Sequence, residues 1–161
     1  MAEFQNTIDL LGDDIVAKSI IDKTFSGKFS DNGILILRRR AFTECKYLTS
    51  VDIPSVTTIE KEVFKNCSNL ESADFSSAKT IESQTFYYCS KLKTVILRGS
   101  TLCAIKNIDA FVLSPFYTNG TGGTVYVPQA LITEYQNATN WSTLYAAGTC
   151  NFVAIEGSEY E

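Results

Sequence analysis

The sequence predicts a short α/β solenoid: stacked coils with parallel strands, a helical cap at the N-terminal end and an α+β cap at the C-terminal end. Three observations predict it. First, residues 37–97 repeat with a step of 22. Phe42, Phe64 and Phe86 are each followed three residues later by a cysteine, Cys45, Cys67 and Cys89, and three further on by Leu48, Leu70 and Leu92. Leu37, Ile59 and Ile81 keep the step, as do Val51, Ala73 and Val95, then Ile53, Phe75 and Leu97. A constant period of about 20–50 residues marks a solenoid, because one coil cannot bury its own apolar face and needs a neighbour. Second, the hydrophobic pattern changes period inside each copy, from alternation to a spacing of three. Third, the rhythm stops on both sides, where amphipathic stretches suited to covering an exposed last coil take over.

Taken in order, the chain divides as one domain: an N-terminal cap over 1–33, repeats over 34–113, a C-terminal cap over 114–155 and a tail at 156–161 expected to fray. Residues from about 7 to 23 read as a helix. Asp13 and Asp14 suit its N-terminus, where oxygen acceptors and negative charge are favoured, and Ile15, Val16, Ser19 and Ile20 form one face. The preceding Ile8-Asp9-Leu10-Leu11 reads as a short strand or an entry segment. Gly27, Ser30, Asp31, Asn32 and Gly33 are turn residues, and Ile34-Leu35-Ile36-Leu37 is a short buried strand.

Within a copy, Val51 and Ile53 alternate with Ser50 and Asp52, which is the pattern of a half-buried strand. Pro54 lacks the donor a strand ladder needs and ends it. A polar turn leads to the inward Ile59. The stretch from Glu60 to Cys67 has the composition of one helical or 3-10 turn, placing Phe64 and Cys67 on one side. Stacked copies then turn each column of Phe, Leu or Ile into an interior row. Arg38, Arg39 and Arg40, the basic run, read as a solvated turn between coils, with an anion contact as the other reading.

Of the five cysteines, Cys45, Cys67 and Cys89 keep the repeat's spacing, and adjacent ones would fall within the reach of a disulfide. Column side chains point in parallel, however, and cysteine packs well as a small apolar filler. Buried free thiols, a disulfide and a metal site are the three readings. The metal reading is weakened by the absence of histidine and of any C-x-x-C pair.

After Leu97 the rhythm loosens. Ala110-Phe111 comes 25 residues after Phe86, not 22. The glycine-bearing loop of residues 118–123 lacks the ending and the strand-to-helix setting of a phosphate loop and reads as a flexible turn. Thr124 to Val127 is a strand. Pro128 suits a first helical turn, Leu131, Ile132 and Tyr135 give that helix an apolar face, and Asn140 can cap a second helix from Trp141 that Gly148 closes. Trp141 reads as core cover for the last coil. A final strand follows from Cys150.

These residues carry a resemblance. The unit I-x-x-x-x-F-x-x-C-x-x-L-x-x-V-x-I-P over residues 37–111 resembles the BspA-type leucine-rich repeat of bacterial surface proteins. The stretch from Tyr126-Val127-Pro128 through Trp141-Ser142 resembles the segment that often terminates such repeats. Pro54 is replaced by Ser76 and Gly99 in later copies, and the small residue before each Phe is Ala41, then Val63, then Thr85. The resemblance implies a right-handed leucine-rich-repeat stack with a binding or adhesive role, and it brings no catalytic residue. It implies the cell surface or secretion, but Met1 to Asn6 show no signal peptide, so the expectation is either a chain not exported by that route, with a phage particle or the cytoplasm as its place, or a leader already removed. Similar short repeats in phage and prophage proteins suggest the alternative of a structural module in a phage particle or a larger surface assembly.

Function is bounded by chemistry. The formal charge is −4, with 14 Lys+Arg against 18 Asp+Glu, which disfavours a nucleic-acid partner. No apolar run suggests membrane insertion. Histidine is absent, and no nucleophile elbow, metal cluster or phosphate loop is present; Glu60, Glu62 and Glu82 recur as repeat-surface charges. The expectation is a non-enzyme without cofactor or metal that binds another protein, on the host or on a bacterial surface. The candidate partner-binding face is the outward strand positions: Thr49, Ser50 and Asp52 in the first copy, Glu71, Ser72 and Asp74 in the second, and Lys93, Thr94 and Ile96 in the third.

Overall fold

The computed structural model describes residues 9–10 and 25–161. The helix and helical cap expected at the N-terminus fall outside the described residues. Asp9–Leu10 form a strand, β1.

Eleven short strands are described, and every pairing between them is parallel. They are β1, β2 (Gly27–Ser30), β3 (Ile36–Leu37), β4 (Leu48–Asp52), β5 (Thr58–Ile59), β6 (Ser72–Asp74), β7 (Thr80–Ile81), β8 (Thr94–Ile96), β9 (Ala104–Ile105), β10 (Gly123–Val127) and β11 (Cys150–Ala154). Apart from β10 and β11, consecutive strands do not pair. Alternate ones do, giving a larger sheet in the order β11-β10-β8-β6-β4-β2 and a smaller one in the order β1-β3-β5-β7-β9. The coil is therefore a strand of the larger sheet, a corner, a strand of the smaller sheet and a return. The stack begins earlier than residue 34: β2 already pairs with β4, placing Phe29 beside Val51.

The step of 22 is the register of the sheets. Ser50 lies beside Ser72 and Ser72 beside Thr94, while Thr58 lies beside Thr80. Beyond the third copy the register survives a change of step, with Thr80 beside Ala104 and Thr94 beside Thr124. The extra residues are taken up in the loops between strands, so the interior columns continue. Phe42 and Phe64 stack at 5.1 Å, Phe64 and Phe86 at 5.5 Å, and Phe86 and Phe111 at 5.4 Å. Phe29 closes the near end of this row, edge-on to Phe42 at 4.9 Å. These rings are the core: Phe42, Phe64, Phe86 and Phe111 are fully buried, with Leu48, Leu70 and Leu92.

The cysteines resolve as buried free thiols. Cys67 Sγ donates to the Phe42 carbonyl at 3.0 Å and Cys89 Sγ to the Phe64 carbonyl at 3.1 Å. Each thiol thus caps a carbonyl of the preceding coil, which explains both the parallel aim and the fixed offset from Phe. Burial pushes the thiols of Cys67, Cys89, Cys103 and Cys150 up, the last two to about 12, and a thiol that stays protonated is a poor nucleophile and metal ligand.

The helical turn expected from Glu60 to Cys67 is replaced by a run of tight turns. Arg40, Glu62 and Gln84 have positive φ, and so do Glu44, Asn66 and Tyr88, four residues later in each coil. A left-handed residue at both ends prevents a helix from propagating. Amides in the turn then alternate between two jobs. Ala41, Thr43 and Cys45 donate within the coil to Arg38, Arg40 and Phe42, while Arg40, Phe42 and Glu44 donate to the carbonyls of Lys61, Val63 and Lys65 in the next coil. The turn side of the stack therefore carries its own rows of backbone hydrogen bonds between coils. Asn66, part of an N-x-[ST] sequence, has the φ of 62° that asparagine tolerates better than most side chains. Thr85, standing where Ala41 and Val63 stand, is buried and satisfied by donating to the Glu82 carbonyl at 2.7 Å.

The arginine run is more than a solvated turn. Arg38 pairs with Glu60 at 2.9 Å, Arg39 with Glu62 at 3.1 Å and Arg40 with Glu62 at 2.8 Å. Lys65 stands 3.6 Å from the same Glu62 carboxylate. The run joins two coils.

At the far end, Pro128 precedes a 3-10 turn (Gln129–Leu131), which leads into α1 (Ile132–Asn137); α2 is Trp141–Ala146. Trp141 and Tyr135 are fully buried. Asn140 precedes α2 at φ 68° but makes no cap with its side chain. The side chain instead donates to the Ile105 carbonyl at 2.8 Å. The glycine loop is packed, not loose: a Cβ on Gly123 would come within 2.4 Å of the Phe116 ring.

Candidate protein-binding face

The larger sheet presents one face inward and one outward. Val51, Ala73 and Val95 point into the core and are buried. The residues beside them point out in two rows. One row runs Lys28, Ser50, Ser72, Thr94, Thr124 and Asn151; the other runs Ser30, Asp52, Asp74, Ile96, Tyr126 and Val153. Thr49, Glu71 and Lys93 form a third, exposed row, linked by Glu71 N–H to the Thr49 carbonyl at 2.8 Å and Lys93 N–H to the Glu71 carbonyl at 2.9 Å. Neighbouring strands put successive members of a row about 4.8 Å apart. Of the nine residues expected on the face, seven lie in β4, β6 and β8, and Glu71 and Lys93 immediately precede β6 and β8.

The rows differ in how free they are. Asp52 is paired with Lys28 at 2.9 Å. Asp74 is paired with Arg98 through Nη2 at 3.2 Å and Nε at 3.3 Å. Burial raises the Asp74 carboxyl above its usual range, the Arg98 guanidinium pulls it back down, and the neighbouring Asp52 pushes the same way as burial. The two aspartates therefore do not form an open acidic strip, since each has its own cation. Ile96 departs furthest from expectation. It stands on the outer face, yet only 4% of it is exposed.

The segment over that end of the face is the tail, residues 156–161, which folds back and does not fray. Its Tyr160 ring meets Tyr126 edge-on at 4.5 Å between centroids. The Tyr160 carbonyl accepts from Arg98 Nη1, and the Thr94 side chain lies close to the Tyr160 hydroxyl. Local bonds shape the segment: Ser158 N–H donates to the Ile155 carbonyl at 2.9 Å, and Tyr160 N–H to Ser158 Oγ at 3.1 Å. Arg98, Tyr126 and Tyr160 were missing from the sequence reading of this face. The step of 22 leads from Asp52 to Asp74 to Ile96, but Tyr126 lies 30 residues further on, outside the period, and no periodicity reaches Tyr160.

The described residues include no group of three His, Cys, Asp or Glu side chains placed to hold a metal ion. Among them, no helix is long and apolar enough to cross a membrane. What the geometry offers is a gently varied polar surface with an aromatic end.

The model of the BspA type Leucine rich repeat region matches residues 18–118 in six copies. The chain belongs to this family. No curated protein and no solved structure matches it. The leucine-rich-repeat match extends past the three copies of constant step on both sides, in keeping with β2 and β3 before them and Phe111 after. The family is generally non-enzymatic, and its repeats generally mediate contacts between proteins.

Proposed function

We propose that the chain is a non-catalytic, adhesion-type protein-binding module that meets its partner through the outer face of the larger sheet. The observation that carries this reading is the row Thr49, Glu71 and Lys93. These three side chains are exposed in successive coils and take no part in the ion pairs that tie the coils together. Ser50, Ser72, Asp52 and Asp74, half-buried beside them, extend the surface, and Thr94 and Ile96 mark where it passes under the tail. The paired strands fix the backbone beneath these groups, so little main-chain order has to be imposed on binding. A face of a few coils is small, and display of several copies would raise its avidity without new contacts.

The test is a pull-down from the native surroundings with the wild type and with Glu71→Arg and Lys93→Glu. A partner held by this face is lost from the variants while their folding is unchanged. A partner retained equally by all three proteins contradicts the assignment.

A further inference from the structure

We propose that Tyr126, Ile96, Thr94 and Arg98 form a tyrosine-reading site at the distal end of the face, that Tyr160 is its built-in occupant, and that the partner segment it accepts presents a tyrosine in the same manner. This rests on the reading of the larger sheet as the interaction surface.

Four groups of different chemistry converge on one residue. Tyr126 offers an aromatic ring to a ring. Ile96 is the apolar side chain between Tyr126 and Asp74 in the row, and it is buried on what would otherwise be an open sheet face. Thr94 meets the phenol hydroxyl, and Arg98, held in place by Asp74, donates to the main-chain carbonyl of the same tyrosine. Ring and carbonyl are both engaged, with Thr94 close to the hydroxyl, which is more than apolar cover requires.

The closure is also slight. The segment is bent chiefly by its own bonds: Gly157, at φ 80°, donates to the Glu161 carboxylate at 2.8 Å, and Ser158 Oγ donates to the Ile155 carbonyl at 2.6 Å. Its other bond to the body is Gln129 N–H donating to the Glu156 carboxylate at 2.9 Å. Tyr160 is therefore the group that couples the segment to the face. A short tether of this kind holds its end at an effective concentration of about millimolar. A competing tyrosine offered at that level, or from several linked copies, displaces it.

The experiment uses the full chain and its Tyr160→Ala variant, with the acetylated peptide Gly-Ser-Glu-Tyr-Glu as probe and the same peptide carrying alanine for tyrosine as control. Methyl NMR of Thr94 and Ile96 reads the site, and amide spectra verify the fold. The tyrosine peptide is expected to shift both methyls saturably in Tyr160→Ala at about millimolar concentration. The alanine peptide is expected to leave them in place, and the wild type to bind about twofold more weakly because its own tyrosine competes. Equal binding to both proteins overturns the tail as occupant. No saturable shift in the folded variant up to about 5 mM overturns the site. The Glu71→Arg variant keeps the two readings apart: it lies off the tyrosine site, so it abolishes partner capture without altering peptide binding.

Discussion

At the distal end the larger sheet gains two more strands, whereas the smaller sheet stops at β9. The larger sheet continues by the same means as in the repeats. β10 pairs with β8, and β11 pairs with β10 along its full length from Cys150 to Ala154. The smaller sheet has no further strand, and three side chains take the place of one. Tyr135 Oη accepts the Cys103 N–H at 2.8 Å, Trp141 Nε1 donates to the Cys103 carbonyl at 2.7 Å, and Asn140 donates to the Ile105 carbonyl. The difference shows that a coil's edge can be satisfied without another coil, provided donors and acceptors of the right reach are fixed in position. Phe111, Tyr135 and Phe152 fix them, packing around Trp141 at 5.7, 5.8 and 5.7 Å. Backbone groups buried without partners would be costly, so this end depends on particular side chains, while the larger sheet's end is closed by backbone pairing of β10 and β11.

Substitutions can break or sharpen that contrast. The largest effect is expected for Trp141→Ala, which removes packing and leaves the Cys103 carbonyl without its indole donor. The expected cost is about 3–5 kcal/mol in urea unfolding. Val153→Ala, on the outer face of β11 and 41% exposed, should cost less than about 0.5 kcal/mol; similar costs for the two would break the comparison. Tyr135→Phe keeps the ring and removes one acceptor from a buried amide, for about 1–3 kcal/mol. Asn140→Ala should cost about 1 kcal/mol. Asn140→Gly loses the same hydrogen bond but accepts the positive φ freely, so it should be the milder of the two; the reverse order would show that the positive φ carries no cost at this position.

The smallest effect belongs to the coil-joining ion pairs. The Arg40 guanidinium holds the Glu62 carboxyl below its usual range, against burial and with help from Arg39 and Lys65. A carboxyl lowered in the folded state contributes stability above its unfolded pKa and loses it as pH falls through the folded value. Glu62→Gln should therefore cost about 0–1 kcal/mol at pH 7, and the gap to wild type should close on acidification. A gap that widens as pH falls would reverse the sign.

The repeat stack was legible because its cause is periodic: each row of Phe42, Phe64 and Phe86 or of Val51, Ala73 and Val95 is the register itself. The nine face residues followed from the same period, and seven of them lie in strands of the larger sheet. What the period could not reveal lies off it. The smaller sheet's side-chain closure links Tyr135, Trp141 and Asn140 to residues 32–38 positions earlier, and Asn140 looked like a helix cap because local pattern favours that use. The left-handed pairs at Glu62 and Asn66 were hidden because glutamate and asparagine there also suit a short helix. Ile96 looked available on alternation alone, since nothing local announces that Tyr160 returns across the face.

Native-state hydrogen exchange on the wild type and Tyr135→Phe tests the closure of the smaller sheet most directly. Loss of the tyrosine oxygen should speed exchange of the Cys103 amide about tenfold or more beyond any global change, while Val125 and Phe152 in the larger sheet shift only with global stability. If Cys103 stays as protected as Val125 in the variant, the side chains are not standing in for the missing strand.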